Sequence, residues 1–76
     1  MVVHDVRPTV RLLLARNAVH GKHPQSMRGL ARLLGLDPSA FNRRLAGKKG
    51  GSGVTMEQVA TIIGCTVEDI YTGGRL

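Results

Sequence analysis

Apolar residues recur at helical spacing along most of this chain, and residues 26–47 contain two short patterns of this kind. In the first, four apolar residues at i, i+3, i+4 and i+7 place one stripe on a helix of about nine residues. Those residues are Met27, Leu30, Ala31 and Leu34. Ser26 is suited to cap this helix, and Gly35 can adopt the left-handed conformation that ends one.

A second helix is predicted to begin after this turn, because Asp37 is a good N-cap and Pro38 fits the first helical turn. At about 100° per residue, Phe41 and Leu45 lie together on its core side, and Arg43 points directly away. The outward side also holds Ser39, Ala40 and Ala46, with Asn42 and Arg44 on its two flanks.

This outward surface has the side chains that read base edges in DNA. Arg pairs with guanine and Asn with adenine through two hydrogen bonds each, and small neighbours permit a close approach. We therefore expect base contacts from Ser39, Ala40, Asn42, Arg43 and Arg44. The expected phosphate contacts lie at the start of the first helix of the pair, on its exposed side, and in the loop after the second helix: Ser26, Met27, Arg28, Arg32, Lys48 and Lys49.

Three further helices complete the predicted fold. Residues 1–7 form a flexible arm or a first partial turn, Pro8 starts a helix, and this helix ends by Gly21. Its inward face is predicted to be Val10, Leu13, Leu14, Asn17 and Ala18. The chain is therefore expected to be an all-α domain of five helices.

The last two helices have recognisable start signals. Thr55 and Gln58 form a capping box before the fourth helix, and Gly64 ends it. Thr66 and Asp69 start the fifth, which Gly73 and Gly74 finish. The residues expected in the core are Val59, Ile62, Ile63, Val67 and Ile70.

Four features between residues 30 and 47 are spaced in a pattern of known proteins: Leu30-Ala31, Gly35-Leu36, Phe41 and Gly47. By this spacing the chain resembles the helix-turn-helix proteins of the phage Cro and repressor family and their bacterial relatives, the xenobiotic-response-element-type regulators. It extends from about residue 10 to residue 73, because VTMEQVATIIGCTVEDIY looks like the fourth and fifth helices of that family. Two positions depart from the pattern, since Arg44 and Leu45 stand where an apolar and an acidic residue are common.

This resemblance implies a lambda-repressor-like fold and a sequence-specific DNA-binding regulator. It also implies a homodimer on a near-palindromic operator, and we expect Ile70, Tyr71 and Leu76 to form the symmetric contact. The alternative is a protein-interaction module, such as an antitoxin-like helical domain. That alternative predicts an exposed apolar patch, for which Tyr71 and Leu76 are the candidates.

Composition and charge narrow the function further. The 76 residues suit one small domain, residues 1–76, with a core too limited for the deep pocket of most enzymes. The formal net charge is +6, and ten of the eleven Lys and Arg lie in residues 7–49 with one acid, Asp37. Residues 50–76 hold three acids and one base. Charge concentrated beside the paired helices favours a polyanionic partner, namely double-stranded DNA.

Other chemistries find less support in the sequence. No pattern of nucleophile and base or of paired carboxylates indicates an enzyme, and neither a cofactor nor a small-molecule ligand is expected. His20 and His23 invite a zinc hypothesis, but structural zinc takes four ligands and no second close pair follows. The glycine-rich loop of residues 48–53 is either a flexible connector or a phosphate-gripping loop, or both.

The sequence also predicts where the protein resides. Cys65 is alone, so no internal disulfide is possible, and no basic region followed by an apolar run marks the N-terminus. The longest apolar run, residues 12–15, is far too short to span a membrane. We expect a cytoplasmic protein that associates with the nucleoid through DNA.

Overall fold

The computed structural model describes residues 5–47 and 55–72, which form five α-helices and contain no strand. The helices are α1 (Arg7–Val19), α2 (Met27–Leu33), α3 (Pro38–Leu45), α4 (Met56–Ile63) and α5 (Val67–Thr72). The prediction of an all-α fold with five helices is confirmed. The predicted loop of residues 48–53 and the ending of α5 at Gly73 and Gly74 lie outside the described residues.

Side-chain caps fix where α2, α4 and α5 begin, as Asp37 does for α3. The Ser26 hydroxyl accepts the N–H of Gly29 at 3.0 Å at the start of α2. Thr55 and Gln58 form the predicted capping box of α4, in which each side chain bonds the other residue's backbone N–H. The Thr66 and Asp69 side chains do the same at the start of α5. Because these groups satisfy donors that a helix leaves unpaired, the caps define the boundaries.

Two glycines that the sequence predicted as helix ends adopt the left-handed conformation. Gly35 follows α2 with a φ of 72°, and Gly64 follows α4 with a φ of 90°. Residues with a Cβ rarely adopt this left-handed region, so glycine is favoured at both positions. The α2 helix has seven residues rather than about nine, because the chain turns after Leu33.

The core lies between two groups of helices. α1 packs against α4 and α5, and α2 packs against α3 and α4, so α4 contacts both groups. The largest side chains that are completely buried come from every helix: Val10, Leu13, Leu30, Phe41, Leu45, Val59 and Ile70. Met27, Leu34, Ile62 and Val67 are partly buried against this core. The predicted core of α4 and α5 is therefore confirmed, with Ile62 and Val67 at its edge.

One polar side chain, Asn17, lies inside this core with 5% of its surface exposed. Its amide nitrogen donates to the carbonyls of Pro24 and Ile63, each at 3.1 Å. These bonds connect α1 to the loop before α2 and to the last turn of α4. A buried amide is tolerated here because its donors are satisfied.

The structure refines or corrects the sequence predictions at several positions. Of the two alternatives for residues 1–7, the structure excludes an arm and favours a first turn for residues 5–7: Val6 is the N-cap of α1, is buried, and donates its N–H to the carbonyl of Leu45 at 2.9 Å. Ala18, predicted to face inward, is exposed. Met56 and Ala60 join the core although the pattern did not single them out. Ile70 is completely buried, so it cannot contribute to a contact between two copies.

None of the helices in the described part of the chain is long and apolar enough to cross a membrane.

Candidate nucleic-acid interface

The connection between α2 and α3 holds the two helices in a fixed relation. The N–H of Leu36 donates to the carbonyl of Ala31 at 2.9 Å, which folds the chain back against the end of α2. The Asp37 carboxylate then accepts the N–H groups of Ser39 and Ala40 at 3.0 and 3.2 Å and so starts α3. Leu36 also packs against the core. The turn is therefore anchored by backbone bonds, by a cap and by an apolar contact.

The buried side of α3 fixes which residues the helix presents to solvent. Phe41 and Leu45 are 1% and 0% exposed, as the sequence predicted. Arg43 lies on the opposite side and is exposed, and the predicted outward direction of its position is confirmed.

The other predicted base-contacting residues differ in exposure. Ser39 and Asn42 are exposed, whereas Ala40 and Arg44 are half-buried. The solvent-facing surface of α3 is therefore centred between Asn42 and Arg43, and the flank that carries Arg44 turns toward the rest of the domain. The sequence left this rotation open because Asn42 and Arg44 lie on the two flanks of the same wheel.

The predicted phosphate-contacting residues of α2 lie beside this surface. Arg28 and Arg32 are both exposed and stand one helical turn apart. Together with Leu36 and Pro38 they line an open groove of about 400 Å³. The groove brings two guanidinium groups to the point where α3 begins.

The remaining predicted phosphate contacts fall into two groups. Ser26 is exposed, with its hydroxyl engaged in the cap of α2, and Met27 is half-buried against the core. At Met27 the group suited to contact a phosphate is therefore the first-turn backbone N–H rather than the side chain. Lys48 and Lys49 lie outside the described residues.

Leu36 and Pro38 line the groove but were not among the predicted site residues. Leu36 gives a signal in the sequence, since an apolar residue just after a glycine helix end often packs back on the helix. Pro38 was recognised as a helix starter, and its position at the first turn of α3 is what brings it to the groove.

Charge separates the two parts of the described structure. Residues 5–47 carry eight Lys and Arg against two acids, whereas residues 55–72 carry three acids and no Lys or Arg. One of the two acids, Asp5, forms an ion pair with Arg7 at 2.7 Å. Hydrogen bonding to the Arg7 side chain lowers the pKa of Asp5 to about 2. The surface formed by α2 and α3 carries four arginines, Arg28, Arg32, Arg43 and Arg44, against one acid, Asp37, and is therefore positive at neutral pH.

The zinc hypothesis gains nothing from the geometry. His20 and His23 are both exposed. Within residues 5–47 and 55–72, no three His, Cys, Asp or Glu side chains are grouped so that they could hold a metal ion. Burial and the nearby Asp69 raise the pKa of the Cys65 thiol, which keeps that group neutral at physiological pH.

Comparison with known proteins adds no relative to this picture. No family model matches the chain, and neither a curated protein nor a solved structure is significantly similar to it.

Proposed function

We propose that this chain is a sequence-specific regulator that binds double-stranded DNA, with α2 and α3 acting as a helix-turn-helix. The observation that carries the proposal is the exposed face of α3. Arg43 and Asn42 project from a helix whose other side is fixed by buried Phe41 and Leu45. A rigid helix with such side chains on its outer face suits the major groove, which admits one α-helix.

The side chains of α3 divide by their exposure. Arg43 suits a bidentate contact to guanine, and Asn42 suits the corresponding contact to adenine. Ser39 lies one turn nearer the start of α3 and can bond to either type of base edge. Exposure favours these three residues as base readers over Ala40 and Arg44, which are half-buried.

The arginines of α2 have a different part in the proposal. Arg28 and Arg32 flank the groove at the start of α3, where a phosphate of the DNA backbone can approach both guanidinium groups. Such contacts position a protein on the duplex and supply affinity without reading sequence. Lys48 and Lys49, which follow α3 in the sequence, are proposed to contribute in the same way.

Selection of bound duplexes from a random library tests this function directly. We expect a recurring motif of a few base pairs, because α3 presents a small fixed set of base-reading groups. The symmetry of the motif also reports the arrangement of the chains, since an inverted repeat indicates a two-fold dimer. Retention of all sequences alike would reduce the proposal to non-specific binding, and failure to retain any duplex at low salt would refute it.

Arg43→Ala is the matched variant for that selection. The side chain is exposed, so the substitution should leave the fold intact, and the recurring motif should lose its preference at one base pair. An unchanged motif would show that Arg43 reads no base.

A further inference from the structure

The first helix has an apolar face on its solvent side as well as on its core side. Four residues at i, i+4, i+7 and i+11 form this face, and we call them the α1 stripe: Pro8, Leu12, Ala15 and Val19. All four are exposed, and Leu12 and Val19 keep 54% and 82% of their surface accessible. The stripe follows α1 for about 16 Å at 1.5 Å per residue. Single exposed apolar residues are ordinary, but a continuous row of this kind indicates an interaction surface.

The charged residues of α1 that flank the α1 stripe are both positive. Arg11 lies on one flank and Arg16 on the other, and α1 contains no acidic residue. A partner surface for the stripe should therefore be apolar in the middle and acidic at its edge.

The chain itself has a surface with those properties. An open groove of about 520 Å³ lies between α2 and α4, and we call it the α2–α4 groove. Its apolar lining is Leu33, Leu34 and Ile62, of which Leu33 is 60% exposed. Its polar lining is Thr55, Glu57, Gln58 and Thr61. Glu57 gives the groove a negative edge, and no Lys or Arg lies in residues 55–72.

This groove is separate from the proposed DNA-binding surface. Leu33 lies about 120° around α2 from the direction shared by Arg28 and Arg32. The two arginines line the other groove, at the start of α3. A partner in the α2–α4 groove therefore leaves the arginine side of α2 accessible.

We propose that the α1 stripe of one copy docks into the α2–α4 groove of a second copy. This head-to-tail arrangement brings apolar side chains together and sets Arg11 and Arg16 of one chain against Glu57 of the next. Pairing two stripes would instead oppose arginine to arginine, and pairing two grooves would oppose Glu57 to itself. Like charges brought together are unfavourable, so charge selects the head-to-tail pairing.

The association is weak and open-ended. The stripe and the groove are each only a few side chains wide. The surface area that their contact buries is therefore well below the roughly 800 Å² per partner of a stable interface. Where a head-to-tail contact does not close into a ring, it leaves one stripe and one groove unused at the ends of the assembly, so further copies can add. The inference goes beyond DNA binding and does not depend on it.

Sedimentation equilibrium of the whole chain without DNA tests this arrangement. Between about 10 μM and about 1 mM, the mean mass of the wild type should rise steadily and pass that of a dimer. Leu12→Gln should prevent the α1 stripe from docking, and Leu33→Gln should prevent the α2–α4 groove from accepting a stripe. Both positions are largely exposed, and glutamine favours helix, so each variant should fold and stay monomeric on its own.

The decisive sample is an equimolar mixture of the two variants. One variant keeps an intact groove and the other an intact stripe, so the mixture should form a dimer and nothing larger. A mixture that stays monomeric while the wild type associates would overturn the head-to-tail pairing, and so would a wild type that is monomeric at the highest concentration. Circular dichroism checks the helix content of each variant, and Val19→Gln replaces Leu12→Gln if the latter does not fold.

Discussion

At the scale of single residues, Arg43 is the position where an effect on DNA binding is most clearly separated from an effect on folding. Phe41 and Leu45 hold the opposite side of α3 in the core, so a change at the exposed Arg43 should alter binding without altering the fold. We predict that Arg43→Ala costs about 1 to 3 kcal/mol on the selected site and relaxes preference at one base pair. Competition titrations against single-base variants of the site measure this.

Lys48→Ala is the control for that titration. A phosphate contact carries no sequence information, so this variant should weaken binding to the selected site and to unrelated duplexes alike. Equal losses on every duplex for Arg43→Ala would make Arg43 a backbone contact, and the proposed reading face of α3 would be wrong.

Asn17 is the residue whose loss should most disturb the fold. Its side chain donates to the carbonyls of Pro24 and Ile63, and both bonds are buried. Asn17→Ala leaves these carbonyls without that donor, so we predict a loss of about 1 to 3 kcal/mol in the free energy of unfolding. Urea denaturation measures the change. Asn42→Ala, at an exposed position, should stay within about 0.5 kcal/mol of the wild type; similar losses for both variants would contradict this role for Asn17.

At the scale of the helices, capping sets much of the local architecture. The Thr55 hydroxyl accepts the N–H of Gln58 at 3.2 Å, and the Gln58 side chain accepts the N–H of Thr55 at 2.9 Å. We predict that Thr55→Ala lowers the free energy of unfolding by about 1 kcal/mol, within the usual range for an N-cap. Thr61→Ala is the matched control, because this threonine is exposed within the same helix. If thermal denaturation shows the same loss of stability for Thr55→Ala and Thr61→Ala, the capping box does not stabilise α4 specifically.

The helices also show what the sequence can and cannot predict. Caps and glycine ends depend on neighbouring residues, so Ser26, Gly35, Asp37 and Gly64 were placed correctly. The burial of Phe41 and Leu45 was also predicted correctly, since the helical period places both on the core side of α3.

Features that depend on contacts between distant residues are not predicted by the local sequence. The burial of Val6 requires the end of α3, whose Leu45 carbonyl accepts its N–H. The exposure of Ala18 and the rotation of α3 toward Asn42 likewise follow from how whole helices pack. The α1 stripe is not among the predictions, because helical spacing identifies the core face of a helix and α1 has apolar residues on both of its sides. Its spacing was nevertheless visible in the sequence, from Pro8 to Val19.

At the scale of the whole molecule, the distribution of charge and the two-helix unit support the same partner. Eight Lys and Arg lie in residues 5–47, and residues 55–72 hold acids and no base. Counterions condensed on DNA are released when such a surface binds, so affinity should fall as salt rises. Arg28→Ala should make that dependence shallower by about 0.9 in the slope of log K against log salt. Arg11→Ala, which removes the same charge from α1, should change the slope by less than half as much.

The most direct test of the DNA-binding proposal is the salt dependence of affinity for the selected duplex, measured by fluorescence anisotropy between low and moderate salt. We predict about four to six phosphate contacts per chain, and therefore a slope of about −4 to −5 in log K against log salt. A nearly flat dependence would contradict the proposal, because a protein-interaction module whose main partner is another protein has no reason to release counterions from DNA.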